Sequence, residues 1–364
     1  MKIALLVHSL VSCWNHGNAH FIRGVARELL ARGHQLSIYE PEKAWSRDSL
    51  VREHGKKPLR DFAKTFPQLS SKKYRQEFAI DKALNDVDIA LVHEWNEPSI
   101  VARVGSCSVP ALFHDTHHRS ATDPDALQRY DLSGYAGVLA YGSSIAARYR
   151  EHGWHDKVWV WHEAADTRLF QPMPRTKHAD LVWIGNWGDG ERTNELRRFL
   201  LEPARRLSLS GTIHGVRYPD EAVRAVRSTG LHYRGWLANH RVPATFARHR
   251  VTVHVPRRAY VQMLPGIPTI RPFEALACGI PLISAPWEDT DGLFTAGEDY
   301  LVARDGRAMQ RCLRAVLSDQ TMARHLAQHG RGTILARHTC SHRVDELLAI
   351  VDGLGIKAQG RVAA

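Results

Sequence analysis

Short apolar runs alternate with amphipathic stretches along the first half of the chain. Residues 2–8 form an apolar run. After a polar loop, residues 19–32 repeat apolar positions at helical spacing and end at Gly33, a favourable helix C-cap. This pattern predicts a strand, a loop and a helix. The alternation then continues, and it predicts further strands at residues 35–39, 89–93, 111–114, 137–140 and 158–161.

A second alternating series follows the polar, proline-bearing stretch 171–178, which predicts a linker. Its apolar runs predict strands at 181–184, 211–214, 251–255 and 281–283, and the stretches between them predict helices at 192–206, 220–228, 242–248 and 273–277. Residues 307–354 have a helical pattern with a break near 330–333. Strands that alternate with helices favour a parallel sheet covered on both faces. The fold class is therefore α/β, with two doubly wound halves at 1–170 and 179–340 facing across a cleft.

Composition is consistent with a soluble two-domain protein. The chain has 364 residues, of which 44% are hydrophobic and 24% charged. It lacks an apolar run of the roughly 18 residues that span a bilayer, and its first segment is too short for a signal peptide, so we expect a cytoplasmic location. Five scattered cysteines predict free thiols. The net charge of +11 favours anionic partners such as nucleotides, anionic lipid or nucleic acid, without choosing among them.

The stretch RPFEALACGIPLISAPWED, residues 271–289, contains the strongest candidate site. Pro272 is predicted at the first helical position, with Glu274 in the first turn. One interpretation is that this carboxylate compensates the helix dipole, an effect of about 0.3–1 kcal/mol. The other is that the helix N-terminus, with Thr269 and Arg271 beside it, binds phosphates while Glu274 accepts hydrogen bonds from a ribose diol. Such a site would bind a nucleoside diphosphate.

Other candidate residues follow predicted strands, where loops of a doubly wound sheet bind ligands. Gly17 and Asn18 precede the first helix, but their loop lacks the spacing G-x-G-x-x-G of dinucleotide sites. In the second half, Gly185 and Asn186 precede Arg192, which can bind a pyrophosphate, and the loop with Trp236 and Leu237 can contact a nucleobase. An ordinary turn, or the solvent-exposed first turn of a helix, would also explain the residues of these loops.

The segment ALFHDTHHRS places His114 and Asp115 at the end of a strand. The positions 114, 117 and 118 match no zinc spacing, so a metal site is disfavoured. His114 is left with two interpretations, a hydrogen bond to a polyhydroxylated ligand or a structural role. The aromatic side chains of Trp14, Trp95 and Tyr130 can stack on sugars or bases, or they can pack.

The block PTIRPFEALACGIPLISAPWEDTDGLFTAGEDYLVAR resembles the donor-binding signature of GT-B glycosyltransferases of the group 1 type, most closely the CgeB-like (spore maturation protein) branch. Further similarity lies in SCWNHGNAHFIRGVARELLARGH, DLVWIGNWGDGERTNELRRFLLEPARRL and RHTCSHRVDELL. The resemblance implies two Rossmann-like domains, a nucleotide-sugar donor on the C-terminal one and an acceptor on the N-terminal one. It also implies that a C-terminal helix at about 341–354 packs back on the first domain.

The resemblance also implies roles for particular residues. Glu274 would bind the ribose, and Arg192 and Arg271 the pyrophosphate. Gly17 would lie near the donor phosphates, and His114 near the donor sugar. The group 1 pattern has another glutamate eight positions earlier, where this chain has Gly266, and Asp289 and Asp291 form a D-T-D that we interpret as a loop.

The expected activity is transfer of a sugar from a nucleotide-sugar donor, a UDP-sugar by preference, to an unidentified acceptor: a glycan, a lipid-linked or small molecule, or nucleic acid. We expect retention of anomeric configuration and no metal or other cofactor, with the nucleotide-sugar as co-substrate. Peripheral contact with an anionic membrane is a further expectation. The alternative is a catalytically inactive GT-B-fold protein that binds an anionic polymer or membrane surface.

Overall fold

The structure, a computed structural model, describes residues 1–75, 77–188 and 190–358. The chain forms two compact units. The first comprises Met1–His162 and the segment that begins at Cys340, and the second comprises Glu163–Thr339. Residues 163–170 thus group with the second unit. No helix in these described ranges is both long and apolar enough to cross a membrane.

The first unit is built on a parallel sheet. In chain order, its elements are β1 (Lys2–Leu6), α1 (Ala19–Ala31), β2 (Gln35–Pro41), α2 (Trp45–His54), α3 (Lys57–Thr65), β3 (Lys72–Tyr74), α4 (Ile80–Leu84), β4 (Ile89–His93), α5 (Pro98–Gly105), β5 (Ala111–Asp115), α6 (Arg119–Thr122), α7 (Pro124–Gln128), β6 (Gly137–Ala140), α8 (Ser143–Glu151) and β7 (Val158–Val160). The strand order is β3-β2-β1-β4-β5-β6-β7, with every pair parallel.

The second unit repeats this plan with six strands. Its elements are β8 (Ala179–Ile184), α9 (Thr193–Leu196), a π-helical segment Arg197–Leu201, α10 (Glu202–Arg206), β9 (Gly211–His214), α11 (Asp220–Arg227), β10 (His232–Tyr233), a 3-10 turn Asn239–Arg241, α12 (Val242–Phe246), β11 (His249–His254), α13 (Arg258–Gln262), α14 (Ile270–Ala277), β12 (Leu282–Ser284), β13 (Leu301–Val302), α15 (Gly306–Ser318) and α16 (Gln320–Arg337). The strand order is β10-β9-β8-β11-β12-β13, again all parallel.

The last helix, α17 (Cys340–Gly353), belongs to the first unit and packs on α1. Hydrogen bonds from the residues directly after α1 and β7 hold it in the first unit. Arg32 donates hydrogen bonds to Ser341 and Asp345, and the indole of Trp161 donates one of 2.8 Å to the carbonyl of Arg343.

Central strands are apolar because helices cover both faces of each sheet. All five residues of β4 and all five of β5 are buried, as expected for interior strands of a parallel sheet. This continuous burial explains why the apolar runs located most of the strands. The segment between β2 and β4, with α2, α3 and β3, was not predicted.

Two helix predictions near the candidate site were wrong. Helix α14 begins at Ile270, with Thr269 as N-cap at φ +62°, so Pro272 is its third residue and Glu274 its fifth. First-turn dipole compensation therefore does not explain the glutamate. Helix α16 continues through Gly330, where a break was predicted. A Cβ on this glycine would lie 2.7 Å from the side chain of Leu276, so close packing, and not a break, explains the residue.

Candidate active site

The strand order of the second unit reverses between β8 and β11, and ligands of open parallel sheets bind beyond the carboxyl ends of such strands. Arg192 bridges this position. Its guanidinium donates 2.9 Å to the carbonyl of Val255, just after β11, and 2.6 Å to the carbonyl of Asn186, just after β8. The Nε of Arg192 is buried and has no hydrogen-bond partner among the described residues. A cation is thus fixed at the switch point of the sheet.

Several positive charges converge on Arg192. Its pKa is lowered to about 10, first by burial and then by the charge of Arg257, with a further contribution from Arg271. Arg257 is paired with Glu191 at 3.1 Å, and Arg271 with Glu274. The three guanidinium groups outnumber these two carboxylates, and guanidinium donors match phosphate oxygens, so this cluster favours a phosphate ligand.

His254, the last residue of β11, was not among the predicted site residues. It is 4% exposed, and its Nδ1 lies 2.9 Å from the Oγ of Ser284 at the end of β12. Burial, followed by the charge of Arg192, lowers the pKa of His254 to about 3, so the imidazole is neutral at pH 7. A histidine at the end of an apolar run, the same signal as at His114, could have identified it.

Glu274 lies inside the second unit. Its side chain has no exposed surface, and the carboxylate accepts hydrogen bonds from Asn239 Nδ2 at 2.6 Å and from Arg271. Asn239 belongs to the 3-10 turn before α12 and was not predicted as a site residue. This pairing favours a role in orienting Arg271, whose side chain keeps 20% of its surface exposed.

The remaining predicted donor residues of this unit lie in the loops around the same strand ends. The Gly185 carbonyl accepts a 2.8 Å hydrogen bond from the Tyr218 hydroxyl, and Asn186 Oδ1 accepts one of 2.9 Å from the Val216 amide. These bonds fix the loop after β8 to the loop after β9. Asp189, in the predicted loop before Arg192, lies outside the described residues. Trp236 and Leu237 are half-buried in the loop after β10.

Gly266, which replaces a glutamate of the group 1 pattern, has a backbone conformation that would be strained for any residue with a side chain. Its φ is +87°, and a Cβ would lie 2.7 Å from both Asp291 Oδ1 and Thr290 Oγ1. Asp289 accepts hydrogen bonds from the amides of Leu293 and Phe294, as expected for a loop. Among the described residues, no group of three or more His, Cys, Asp or Glu side chains could hold a metal ion.

The strand ends of the first unit carry buried polar side chains. His114 lies within β5, 4% exposed, between Trp161 and His93, with ring-centroid distances of 4.9 and 5.5 Å. Burial lowers its pKa to about 4, and its Nε2 has no partner among the described residues. The next residue, Asp115, accepts a 2.9 Å hydrogen bond from Tyr149, and its pKa is raised to about 8 by burial and by Glu94.

Gly17 and Asn18 immediately precede α1. Gly17 is exposed, whereas Asn18 is 7% exposed and is the N-cap of the helix without a side-chain capping bond. Tyr130 is 8% exposed and donates to the carbonyl of Glu94, so its side chain packs.

Comparison with known proteins found one matching family model and several similar folds. Residues 192–349 match a family model described as glycosyl transferase-like. No curated protein matches the chain.

Solved structures resemble the chain over nearly its whole length. Sucrose-phosphate synthase from Thermosynechococcus elongatus has a TM-score of 0.68 at 14% identity, covering 98% of this chain and 99% of that one. An alpha-glucosyltransferase in complex with UDP and a 13-mer DNA containing a HMU base has a TM-score of 0.69 at 12% identity, covering 97% and 99%. Anabaena HepE in complex with UDP-glucose has a TM-score of 0.67 at 12% identity, covering 96% and 100%. The predicted GT-B fold of two Rossmann-like domains is thereby confirmed.

Proposed function

We propose that this protein is a glycosyltransferase that uses a UDP-sugar donor bound by the second unit. The observation that carries the proposal is the cationic switch point, where Arg192 joins the ends of β8 and β11 beside Arg257 and Arg271. The family match over 192–349 supports the class, and the similar structures whose complexes contain UDP or UDP-glucose support the nucleotide. The CgeB-like branch stays a prediction.

Arginines suit the chemistry of this reaction. Transfer breaks the bond between the anomeric carbon and the diphosphate, forms a bond from that carbon to an acceptor oxygen, and leaves extra negative charge on the diphosphate. Fixed cations at that charge lower the barrier, and removal of one such donor typically costs about 2.7–4 kcal/mol. We propose that Arg192 and Arg271 have this role without a metal ion. In the retaining reaction that we propose, the leaving diphosphate takes the proton of the acceptor hydroxyl.

The role of Glu274 has two testable forms. The family resemblance assigns it to the ribose diol, whereas its burial and its pairing with Arg271 and Asn239 support a positioning role. Comparison of UDP with 2′-deoxy-UDP separates them. If the carboxylate binds the diol, the wild type binds UDP more tightly than the deoxy analogue, and Glu274→Gln removes that preference. If Glu274 only positions Arg271, the variant weakens both nucleotides equally.

The proposal is tested by calorimetric titration with UDP and by UDP release from UDP-glucose. We expect Arg192→Met and Arg271→Met to weaken UDP binding about 10- to 100-fold, the effect of losing a charge-assisted hydrogen bond of about 1.5–3 kcal/mol. Arg314→Met, which changes an exposed arginine of α15 in the same unit, is the control and should bind UDP like the wild type. Equal affinities in all four proteins, or no UDP binding by the wild type, would refute the proposal.

A second candidate function, binding to an anionic surface without catalysis, is favoured by a different part of the second unit. A polar groove between α10 and α15 is lined by Arg198, Arg206 and Arg307, with Glu202 and Asp305 as its acidic residues. Sedimentation with vesicles of phosphatidylserine and phosphatidylcholine tests it. Two results together would support this candidate over the transferase. The wild type would bind the vesicles without turning over a UDP-sugar, and the double variant Arg198→Glu/Arg307→Glu would no longer bind them.

A further inference from the structure

The carboxyl edge of the first sheet carries a cluster of tryptophan and histidine rings. The strand order of this unit reverses between β1 and β4, and His8 follows β1 while Trp95 follows β4. Trp45, the first residue of α2, lies 4.5 Å from the His8 ring at an interplanar angle of 31°, and 5.9 Å from Trp95 at 72°. Trp14 lies 6.3 Å from Trp45 at 71°. The cluster therefore occupies the ligand-binding position of this sheet.

Trp45 combines support by other rings with exposure to solvent. It is 38% exposed, whereas Trp14 is 8% exposed and donates a 2.8 Å hydrogen bond to Glu53. The three neighbouring rings restrict the orientation of the Trp45 indole. This side chain therefore loses little conformational entropy when a ligand stacks on it. An indole face held rigid at a strand-end edge can serve as a platform on which a ligand stacks.

The polar groups beside the platform are uncharged histidines. His16 lies 5.5 Å from His8 and 5.9 Å from His93, measured between ring centroids. Burial is the main cause that lowers the pKa of His8 to about 4 and the pKa values of His16 and His93 well below the usual range. His16 is 5% exposed, and its Nε2 has no partner among the described residues. A neutral imidazole offers one donor and one acceptor, which match a hydroxyl group.

Two arginines beside the cluster, Arg119 and Arg47, already have carboxylates or carbonyls as partners. Arg119 lies over the Trp95 ring at 4.5 Å and forms a 2.6 Å ion pair with Glu94. Arg47, whose charge contributes to the low pKa of His8, donates to the carbonyl of Glu42 and lies 3.7 Å from Asp48. At this edge each of the two arginines has a carboxylate partner, whereas at the edge of the second unit the three arginines share two carboxylates, those of Glu191 and Glu274.

We propose that the first unit binds an uncharged carbohydrate as the acceptor, with a pyranose ring stacked on Trp45 and a hydroxyl group directed to Nε2 of His16. The aliphatic face of a sugar ring matches the apolar indole, and the hydroxyls match neutral imidazoles. Arg119 and Arg47 already have carboxylate partners, so they offer little to an anionic acceptor. The inference rests on the proposed glycosyltransferase function, and it names the class of acceptor that the function left open.

Binding and turnover are measured separately so that the two proposals can fail separately. Saturation-transfer NMR with maltose, cellobiose and chitobiose tests neutral sugars, and glucose 6-phosphate and a single-stranded DNA 12-mer serve as anionic comparators. UDP release from UDP-glucose is then measured against the concentration of each acceptor. Trp45→Ala is compared with Trp154→Ala, which removes a half-buried tryptophan of the same unit that also stacks on a histidine, His152, at 4.6 Å.

We expect at least one neutral disaccharide to bind the wild type and the Trp154 variant. In Trp45→Ala, the acceptor KM should rise about tenfold through loss of ring stacking and apolar contact, with UDP affinity unchanged. Trp45→Phe, which keeps a smaller ring, should recover part of the loss. The inference is overturned if only the anionic ligands bind, if no sugar binds, or if both alanine variants change KM equally. Failure of UDP binding with sugar binding intact would instead overturn the transferase proposal.

Discussion

Replacement of Glu274 by alanine should strongly destabilise the second unit. The side chain is fully buried and accepts hydrogen bonds from Arg271 and from Asn239 at 2.6 Å. Its removal takes away the carboxylate that accepts hydrogen bonds from a half-buried guanidinium and a buried amide. Breaking a buried ion pair in this way typically costs about 3–5 kcal/mol. Glu274→Gln keeps an oxygen that can accept from Asn239 but loses the charge beside Arg271, so we expect a smaller loss of about 1–3 kcal/mol.

The free energy of unfolding is measured by urea denaturation, followed by far-ultraviolet circular dichroism. Glu298→Ala is the control, because this carboxylate belongs to the same unit, is half exposed and is paired with His325 at 2.7 Å. An exposed pair of this kind contributes about 1 kcal/mol or less. A loss in Glu274→Ala no larger than that of the control would refute the argument, since the carboxylate would then not be a buried acceptor.

Three further outcomes are expected. Gly266→Ala should lower the free energy of unfolding by about 1–3 kcal/mol, because alanine is strained at a φ of +87°. Urea unfolding checks this, and wild-type stability would contradict it. The folded-state pKa values of His8 and His114 are lowered to about 4 and that of His254 to about 3, so the unfolded chain binds more protons below pH 6.5. The free energy of unfolding should therefore fall between pH 6.5 and pH 4, by up to about 3 kcal/mol per histidine, and the melting temperature should fall with it. The raised pKa of Asp115 has the opposite effect and offsets part of this loss. A melting temperature that rises as the pH is lowered would contradict the assignment. UDP at 100 times its dissociation constant should stabilise the wild type by about 2.7 kcal/mol in a thermal-shift assay and the Arg192→Met variant by less at the same concentration, and equal shifts would exclude Arg192 from the site.

The positions of several chemically important residues at strand ends could be predicted from sequence. His114 lies in β5, and Gly185 and Asn186 follow β8. His254 is likewise a histidine at the end of an apolar run, that of β11, but it was not predicted as a site residue. Its importance depends on Arg192 and Ser284, which are distant in sequence.

The pairing of Glu274 and the platform at Trp45 could not be predicted in this way. The sequence places Glu274 in a helix that buries most of its residues, but it does not indicate that Asn239 reaches its carboxylate from the turn before α12. Trp45 lies in a region where no element was predicted, and its neighbours His8, Trp14 and Trp95 come from different loops.

The sequence by itself determined the fold class of this protein, since interior strands of a parallel sheet are buried on both faces and therefore read as apolar runs separated by helices. The tertiary structure decided which loops meet, because the strand order brings β1 beside β4 and β8 beside β11, strands far apart in the chain. The local pattern of apolar and polar residues indicates which positions are buried, whereas a binding site depends on contacts between segments that are distant in sequence. For this reason Arg192 was a candidate from sequence, but only the structure joined it to the ends of two strands.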